Sequence, residues 1–162
     1  MEVLVTSLVF SIMTVAVSGI FIQIINDERR AFAAQAIQEN GQFIMELMSR
    51  EIRVSKVQDQ DSSNCTATTL TIVHPVNGAV TYSLTAGGVL QRAVGGVTTD
   101  LSASTVSFSR LNFCVTGSGT SDNKQPRVAI LTSMRNKSGK QIITFDFQTT
   151  VSSRDVQSEF EN

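Results

Sequence analysis

The feature that most constrains this chain is an apolar run near its N-terminus, residues 3–26. Between Glu2 and Asp27 there is no ionisable side chain. A helix of this length spans roughly 36 Å at ~1.5 Å per residue, and a hydrocarbon core is about 30 Å thick. A cleaved secretory signal is shorter, begins with basic residues and ends at a small-residue site, and the run has none of these features. We therefore expect residues 1–26 to form an apolar helix that is kept in the protein.

Small polar residues interrupt this run more often than a single span surrounded by lipid requires. A Ser or Thr hydroxyl in a helix can bond a backbone carbonyl one turn earlier, so each is tolerable by itself. Together with Gly19, these residues would also let helices approach closely and hydrogen-bond across an interface. Two interpretations of this run therefore remain: an ordinary membrane anchor, and a helix packed among other helices. The interrupting residues are Thr6, Ser7, Ser11, Thr14, Ser18 and Gln23.

Glu2 stands directly in front of the apolar run. A carboxylate is costly to bury in apolar surroundings unless a cation meets it. A carboxylate is also favourable at a helix N-terminus, where it complements the helix dipole. Glu2 is therefore either a helix cap or one half of an ion pair.

A second stretch, residues 27–57, contains no Pro and continues the helix. Its apolar residues recur with a period of 3.6, which predicts an amphipathic helix with one buried stripe. No helix breaker separates the two stretches, so we predict one continuous helix of about 55 residues, roughly 80 Å long. The stripe consists of Phe32, Ala33, Ala36, Ile37, Gly41, Ile44, Leu47, Met48 and Ile52. The helix–sheet seam is predicted at Ile37, Gly41, Ile44, Met48 and Ile52.

Residues 58–162 are predicted to form a β-rich head domain. After a polar loop at residues 58–64, β-branched and alternating segments are separated by Gly-containing turns such as Asn77-Gly78. A change of alternation near Arg110 predicts a β-bulge. The predicted fold class is α+β: a long N-terminal α-helix, half apolar and half amphipathic, packed on a C-terminal antiparallel β-sheet that needs the helix stripe as its cover.

The N-terminal third of the chain resembles a known family. Glu2-Val3-Leu4-Val5, the apolar helix and Asp27-Glu28-Arg29-Arg30 are similar to the N-terminus of type IV pilins and of the pseudopilins of type II secretion. Residues 39–46 and 50–53 are similar to the helix of larger minor pilins and J-type pseudopilins. Beyond this third, only the order of a helix followed by a β-domain matches.

The resemblance implies a subunit that is stored in the inner membrane and assembled into a pilus-like filament. In that family the acid that matches Glu2 neutralises the methylated N-terminal amine of a neighbouring subunit. An ion pair in a water-poor helix bundle is the arrangement that makes a buried carboxylate tolerable. The implied partners are further copies, other pilin-like subunits and a membrane assembly platform. The expected filament-core packing residues are Val3, Leu4, Leu8, Phe10, Gly19 and Phe21.

Two features depart from the family. Family precursors carry a short basic leader ending in Gly and a few apolar residues before the acid, whereas this sequence begins at Met1, directly before Glu2. We expect either that it begins inside the mature protein or that its start was assigned late. Many major pilins also have Pro at the position of Gly19. Glycine weakens a helix interior by roughly 1 kcal/mol relative to Ala.

Net charge and cysteine content limit the kind of partner and the cellular compartment that we expect. The net charge of the 162 residues is −1, which gives no electrostatic reason to expect a nucleic-acid partner. Cys65 and Cys114 are the two cysteines, and both lie in the β-rich part. A membrane-anchored head outside the cytoplasm would be in an oxidising compartment, where we expect these two to form a disulfide. The alternative is two unpaired cysteines that act as small apolar residues.

The sequence shows no pattern typical of catalysis, so we expect no enzymatic activity, no catalytic residue, no cofactor and no metal site. The single histidine, His74, lies before Pro75 at a strand end and is expected to be structural or exposed. No G-x-S-x-G surrounds a serine, and no glycine pair opens a helix as a phosphate loop does. Asp59 and Asp61 lack the spacing of a calcium loop.

Three functions stay open. The first is a structural filament subunit. The second is a minor pilin or a minor pseudopilin of a type II secretion system, which primes assembly at a tip. The third is a membrane-anchored extracytoplasmic binding module, whose contact surface would be the polar loop at residues 116–125. The first two predict that Glu2 matters to assembly, and the third predicts that it is dispensable.

Overall fold

A long helix at the N-terminus organises the computed structural model, which describes residues 2–57, 60–119, 124–139 and 141–154. Helix α1 (Glu2–Val54) runs unbroken for 53 residues, as expected. It ends three residues before the predicted boundary at residue 57. The reason is strand pairing: β1 (Lys56–Val57) hydrogen-bonds antiparallel to the second strand, with Val57 opposite Ile72.

The β-domain contains two antiparallel sheets rather than the single sheet that was expected. The first sheet has the order β1-β2-β3-β4-β5 and the second the order β6-β7-β8. After β5 the Leu101 N–H still bonds to the Leu90 carbonyl of β4, and the chain then leaves the first sheet, where the Ala103 N–H bonds to Asn40 Oδ1 of α1. The other strands are β2 (Thr69–His74), β3 (Gly78–Leu84), β4 (Leu90–Val94), β5 (Val97–Asp100), β6 (Val106–Thr116), β7 (Arg127–Asn136) and β8 (Thr144–Ser152).

Glycine turns set the strand register in the first sheet. Gly78 has φ +70° where β2 turns into β3. Gly95 and Gly96 have φ +56° and +86° and form a two-residue loop that pairs Val94 with Val97. Both central residues of such a loop need positive φ, which glycine adopts without steric strain. The hairpin β4–β5 follows directly, although the sequence reading did not identify β5 as a strand.

The second sheet contains the predicted bulge. Pairing of β6 with β7 shifts register between Phe108 and Arg110, so the change of alternation at Arg110 was interpreted correctly. The shift keeps Phe108, Leu111 and Phe113 buried although their spacing breaks strict alternation.

One hydrophobic core lies between α1 and both sheets. The structure places all five predicted seam residues, Ile37, Gly41, Ile44, Met48 and Ile52, among its buried residues. They share this core with side chains from both sheets, such as Ile72 and Tyr82 from the first and Ile130 and Met134 from the second. Phe32 was expected on the same stripe but is 64% exposed. It lies on the part of α1 that precedes Ile37, the first helix residue that the sheets bury.

Gly41 lies where α1 and the second sheet approach closely. A Cβ atom at this position would be 2.6 Å from Phe147 Cζ and 2.7 Å from Met134 Cε, whereas a Cβ at Gly19 would meet nothing within 4 Å. We expect Gly41→Leu to destabilise the head domain by about 2–3 kcal/mol, as overpacking does, and Gly19→Leu to leave it unchanged. Urea unfolding of the full chain in detergent micelles measures both, and equal stabilities would contradict this seam.

The two cysteines form the expected disulfide. Cys65 and Cys114 are bonded, which ties the loop before β2 to strand β6 across 49 residues of sequence. The same loop is held by a hydrogen bond from Asn112 Nδ2 to the Cys65 carbonyl, at 2.8 Å. The backbone N–H of Phe113 also donates to the Ala67 carbonyl, at 2.8 Å. The disulfide therefore reinforces the junction of the two sheets.

Candidate functional site

The apolar half of α1 is the largest feature that the fold leaves uncovered. Its most apolar window has none of its residues buried, and α1 is long and apolar enough to cross a membrane. The predicted filament-core side chains Val3, Leu4, Leu8, Phe10 and Phe21 are each 60–80% exposed. A contiguous apolar surface of this extent marks a contact with lipid or with another protein.

Hydroxyl groups do not make this surface polar, because each one bonds within the helix. The Oγ atoms of Ser11 and Ser18 donate to the carbonyls of Ser7 and Thr14, at 2.9 and 2.8 Å. Thr14 Oγ1 donates to the Phe10 carbonyl at 2.9 Å. Thr6 and Ser7 likewise donate to carbonyls three or four residues earlier. The hydroxyl donors therefore need no partner outside the helix, and the segment suits apolar surroundings.

Small polar side chains nevertheless occupy one side of the apolar segment. Ser7, Ser11, Thr14 and Ser18 recur at intervals of four and three residues, which places them within about 60° of one another around the helix. Gly19 lies about 100° around the helix from Ser18, on a neighbouring face, and no heavy atom approaches its position within 4 Å. Small residues lower the helix surface and allow another helix to approach closely.

Glu2 begins α1 in the first turn, at the far end from the head domain, and is exposed. Because α1 is exposed up to residue 32, save for a half-buried Ile25, the helix projects from the head as a rod. A rod of this length extends roughly 45 Å. Glu2 is therefore presented at the tip of this rod, away from the head domain.

A partly buried ion pair fixes the other end of α1 to the first sheet. Glu51 on α1 accepts hydrogen bonds from Arg92 Nε at 3.1 Å and from Arg92 Nη2 at 2.7 Å. The Tyr82 hydroxyl donates to the same carboxylate. The Glu51 and Arg92 side chains are only 13% and 20% exposed. A bidentate Arg–carboxylate pair has one favoured geometry, so it sets the orientation of the helix relative to the sheet.

The pKa values of this cluster follow from its contacts. Burial alone would raise the pKa of Glu51, but the hydrogen bonds from Arg92 and Tyr82 outweigh it, and the pKa lies below its ordinary value. Burial, and next the hydrogen bond to Glu51, raise the pKa of Tyr82 above its ordinary value of 10.0. The native cluster thus contains an ionised Glu51 and a neutral Tyr82 at neutral pH.

Tyr82 gives the cluster a measurable pH dependence. A raised folded-state pKa contributes stability that is present below pH 10.0 and is lost as the pH rises further. We expect the free energy of unfolding to fall above pH 10.0 by up to about 1.4 kcal/mol per pH unit through this one group. Tyr82→Phe should remove that component and, by deleting a hydrogen bond to a charged group, lower stability at pH 7 by about 1.5–3 kcal/mol.

Urea unfolding of both proteins between pH 7 and pH 11 measures this component as the difference in slope. All other side chains are common to both proteins, so their contributions cancel in the difference. Parallel pH profiles for the wild type and Tyr82→Phe would show that the phenol does not stabilise the cluster. Glu51 gives the free energy of unfolding a pH dependence on the acidic side. Its lowered pKa contributes stability that is lost as the pH falls below 4.5.

The sequence reading missed the cluster, although a signal was present. Arg92 lies on the same strand face as Leu90 and Val94, opposite Tyr82 in the register of β3 and β4. A charged residue in the middle of an apolar alternation needs a buried partner of opposite charge. Identifying Glu51 as that partner requires the helix orientation, which the sequence does not provide.

The remaining candidates have structural contacts. His74 Nδ1 accepts from the backbone N–H groups of Val76 and Asn77, each at 3.2 Å, and so shapes the turn between β2 and β3. Asp61 accepts from the N–H and the hydroxyl of Ser118, at 2.8 and 2.6 Å, and these bonds lower its pKa. Asp59 and residues 120–123 of the polar loop lie outside the described residues. In the described ranges no three potential ligands cluster to hold a metal ion.

Two surfaces therefore stand out: the exposed apolar rod that ends at Glu2, and the head domain to which Glu51, Arg92 and Tyr82 fix it. Comparison of the chain with models of known protein families, with curated proteins and with solved structures finds no match.

Proposed function

We propose that this protein is a pilin-like structural subunit. In this proposal α1 holds it in the inner membrane before assembly and then packs with other copies, or with other pilin-like subunits, in the core of a helical filament. The observation that carries the proposal is the exposed apolar half of α1, which continues without a break into a helix seated on the head domain.

The apolar segment requires a cover in every state of the protein. Fully burying a Val, Leu, Ile or Phe side chain is worth about 1.5–3 kcal/mol, and the segment exposes many such side chains. Lipid provides this cover before assembly. In a filament, neighbouring helices would provide it, and the small-residue side formed by Ser7, Ser11, Thr14 and Ser18 would allow them to approach closely.

Rigidity favours a filament subunit over a simple anchor. A binding module needs only a tether, and a flexible linker between the membrane and the head would serve. Here the anchor and the buried seam belong to one helix, and the Glu51–Arg92 pair fixes its angle to the first sheet. A fixed angle between helix and head lets every copy repeat one heterologous contact, and such contacts build an open helical assembly.

Glu2 gives the assembly its register in this proposal. At the tip of an apolar rod, the carboxylate would enter the filament core unless it stayed at the membrane surface. A cation from the next subunit, such as its N-terminal amine, would offset the cost of burying it. The resemblance of Glu2-Val3-Leu4-Val5 to the pilin N-terminus supports this role. The disulfide between Cys65 and Cys114 supports a head outside the cytoplasm, in the periplasm or on an extracellular filament.

Electron microscopy of filaments sheared from cells, with mass spectrometry of their subunits, tests the proposal. A shaft subunit is expected to be the main species, with a methylated N-terminus upstream of Glu2. Presence only in traces would instead assign the chain to a tip or priming role, as a minor pilin or pseudopilin. An unprocessed chain found solely in the membrane fraction would overturn the filament proposal and favour the anchored binding module.

A further inference from the structure

A cavity lies between α1 and the turn that joins β7 to β8, directly after the apolar segment. Its volume is about 260 Å³, close to the lower end of the ~300–1,000 Å³ range of small-molecule pockets. Arg29, Arg30 and Ala33 line it from the helix, and Ser138 and Gln141 line it from the turn. Arg30 also borders the adjoining surface beside the exposed Ile142.

The positive charge of this cavity is not neutralised by its surroundings. Neither Arg29 nor Arg30 forms an ion pair with any residue that the structure describes. The acids nearest in sequence, Asp27 and Glu28, lie about 100° and 200° around the helix from Asn26, which lines the cavity. Glu28 therefore lies on a different face of α1, whereas Asp27, three residues before Arg30, lies on a neighbouring face but forms no ion pair with it. Two guanidinium groups on one side of a cavity match the oxygens of a phosphate group.

Asn136 links the described residues on the turn side of the cavity, 136–139 and 141–143. This side chain is 6% exposed, and its Nδ2 donates to the carbonyls of Ser138 and Gln141, at 2.9 and 3.0 Å. Its Oδ1 accepts from the Ile143 N–H at 2.7 Å. The side chains of Ser138 and Gln141 have no hydrogen-bond partner in the described part of the chain. Both line the cavity, across from the two arginines.

The position of the cavity along α1 identifies the ligand. Arg29 and Arg30 follow Ile25, the last hydrophobic side chain of the apolar run at residues 3–26, by about 6–8 Å along the helix axis. The headgroup layer of a bilayer extends about 5–7 Å beyond the hydrocarbon core on each side. With the apolar segment in a membrane, the cavity is at the depth of the lipid phosphates.

We propose that this cavity binds the phosphate headgroup of an anionic phospholipid while the subunit is stored in the membrane. The inference rests on the membrane anchoring in the proposed function. Arg29 and Arg30 would bind the phosphate oxygens, and Ser138 and Gln141 would hydrogen-bond the headgroup. The lipid would fix the height and tilt of the head above the bilayer, and it must leave when α1 is extracted.

Native mass spectrometry of the full chain released from nanodiscs tests this binding. The nanodiscs contain phosphatidylcholine alone or an equimolar mixture with phosphatidylglycerol. We expect the wild type to retain one phosphatidylglycerol from the mixture and no phosphatidylcholine. Arg29→Gln with Arg30→Gln should reduce the retained fraction roughly 25-fold, at about 5-fold for each arginine near a lipid surface. The control Arg53→Gln with Arg127→Gln removes equal charge from exposed positions outside the cavity lining and should change nothing.

Ala33→Leu distinguishes lipid binding in the cavity from general attraction of the two arginines to an anionic membrane surface. It fills the cavity while both arginines stay, so we expect it to lose the retained lipid as well. Unchanged retention in Ala33→Leu, or equal retention by the double variant and its control, would overturn the site.

Inorganic phosphate tests whether the cavity binds free phosphate rather than the phosphate of a lipid headgroup. Hydrogen exchange of residues 136–139 and 141–143 is measured in detergent with either ligand added. If inorganic phosphate slows this exchange and phosphatidylglycerol does not, the ligand is free phosphate and the lipid proposal is wrong.

Two further outcomes distinguish failure of the inference from failure of the proposed function. A chain that inserts into both nanodiscs but retains no phosphatidylglycerol would overturn the lipid site and leave the filament proposal standing. A chain that does not insert into either membrane would overturn both. Protection of the turn only in assembled filaments would indicate that a neighbouring subunit occupies the cavity instead, and would also overturn the lipid site.

Discussion

Replacing Glu2 with Ala is expected to leave the protein folded and inserted in the membrane but to remove it from filaments. Glu2 lies at the exposed tip of α1, far from the buried core, so the head domain should keep its stability. In the filament core, its partner amine would then be buried without an opposite charge. Breaking a buried ion pair costs about 3–5 kcal/mol, a penalty that every subunit contact would incur. We therefore expect filament yield to fall below detection.

The control for Glu2→Ala is Glu28→Ala, which removes the same charge just after the apolar segment. This variant should assemble normally. Sheared filament yield, membrane fractionation and urea unfolding of each variant measure assembly, insertion and folding separately. Glu2→Gln distinguishes charge from shape and should fail to assemble like Glu2→Ala. Normal filaments from Glu2→Ala would show that the carboxylate is only a helix cap, and would contradict its role in assembly.

Removing the disulfide is expected to produce the largest loss of head-domain stability. The bond between Cys65 and Cys114 closes a loop of 49 residues. Chain-entropy estimates give about 4 kcal/mol for a loop of that length. Cys65→Ser with Cys114→Ser should therefore lower the free energy of unfolding by about that amount, without changing insertion of the apolar segment. Tyr82 is the only tyrosine and tryptophan is absent, so its fluorescence reports unfolding of the core from one site.

Reductant provides the matched control for the disulfide. A thiol reductant should destabilise the wild type to the level of the double serine variant and should not affect the variant itself. Agreement of the two would assign the loss to the covalent bond rather than to the serine hydroxyls. If the oxidised wild type and the variant unfold at the same urea concentration, the disulfide does not constrain the unfolded chain.

Local patterns were sufficient to predict several elements. The uninterrupted helix followed from the absence of Pro and from the apolar period, and the strand end at His74 followed from the Pro75 that comes directly after it. Positive φ at Gly78, Gly95 and Gly96 agrees with the predicted turns. These features depend on backbone sterics and side-chain periodicity within a few residues, and such information is present in the sequence itself.

The candidate site was predictable only in part. The apolar segment and Glu2 could be identified because composition and position define them. The cavity at Arg29 and Arg30 could not, because its second wall comes from a turn more than a hundred residues later in the chain. The Glu51–Arg92–Tyr82 cluster likewise joins a helix to two strands whose distance in sequence gives no indication of contact.

The sequence by itself determined the long helix, its apolar and amphipathic halves, most of the strands and the bulge at Arg110. Only the tertiary structure decided that the strands divide into two sheets, that α1 ends at Val54, and that Phe32 stays exposed. The physical reason is that helix propensity and strand alternation depend on residues close together in the sequence. Sheet division, helix termination and burial depend on which distant backbone groups and side chains compete for the same partners and the same core volume.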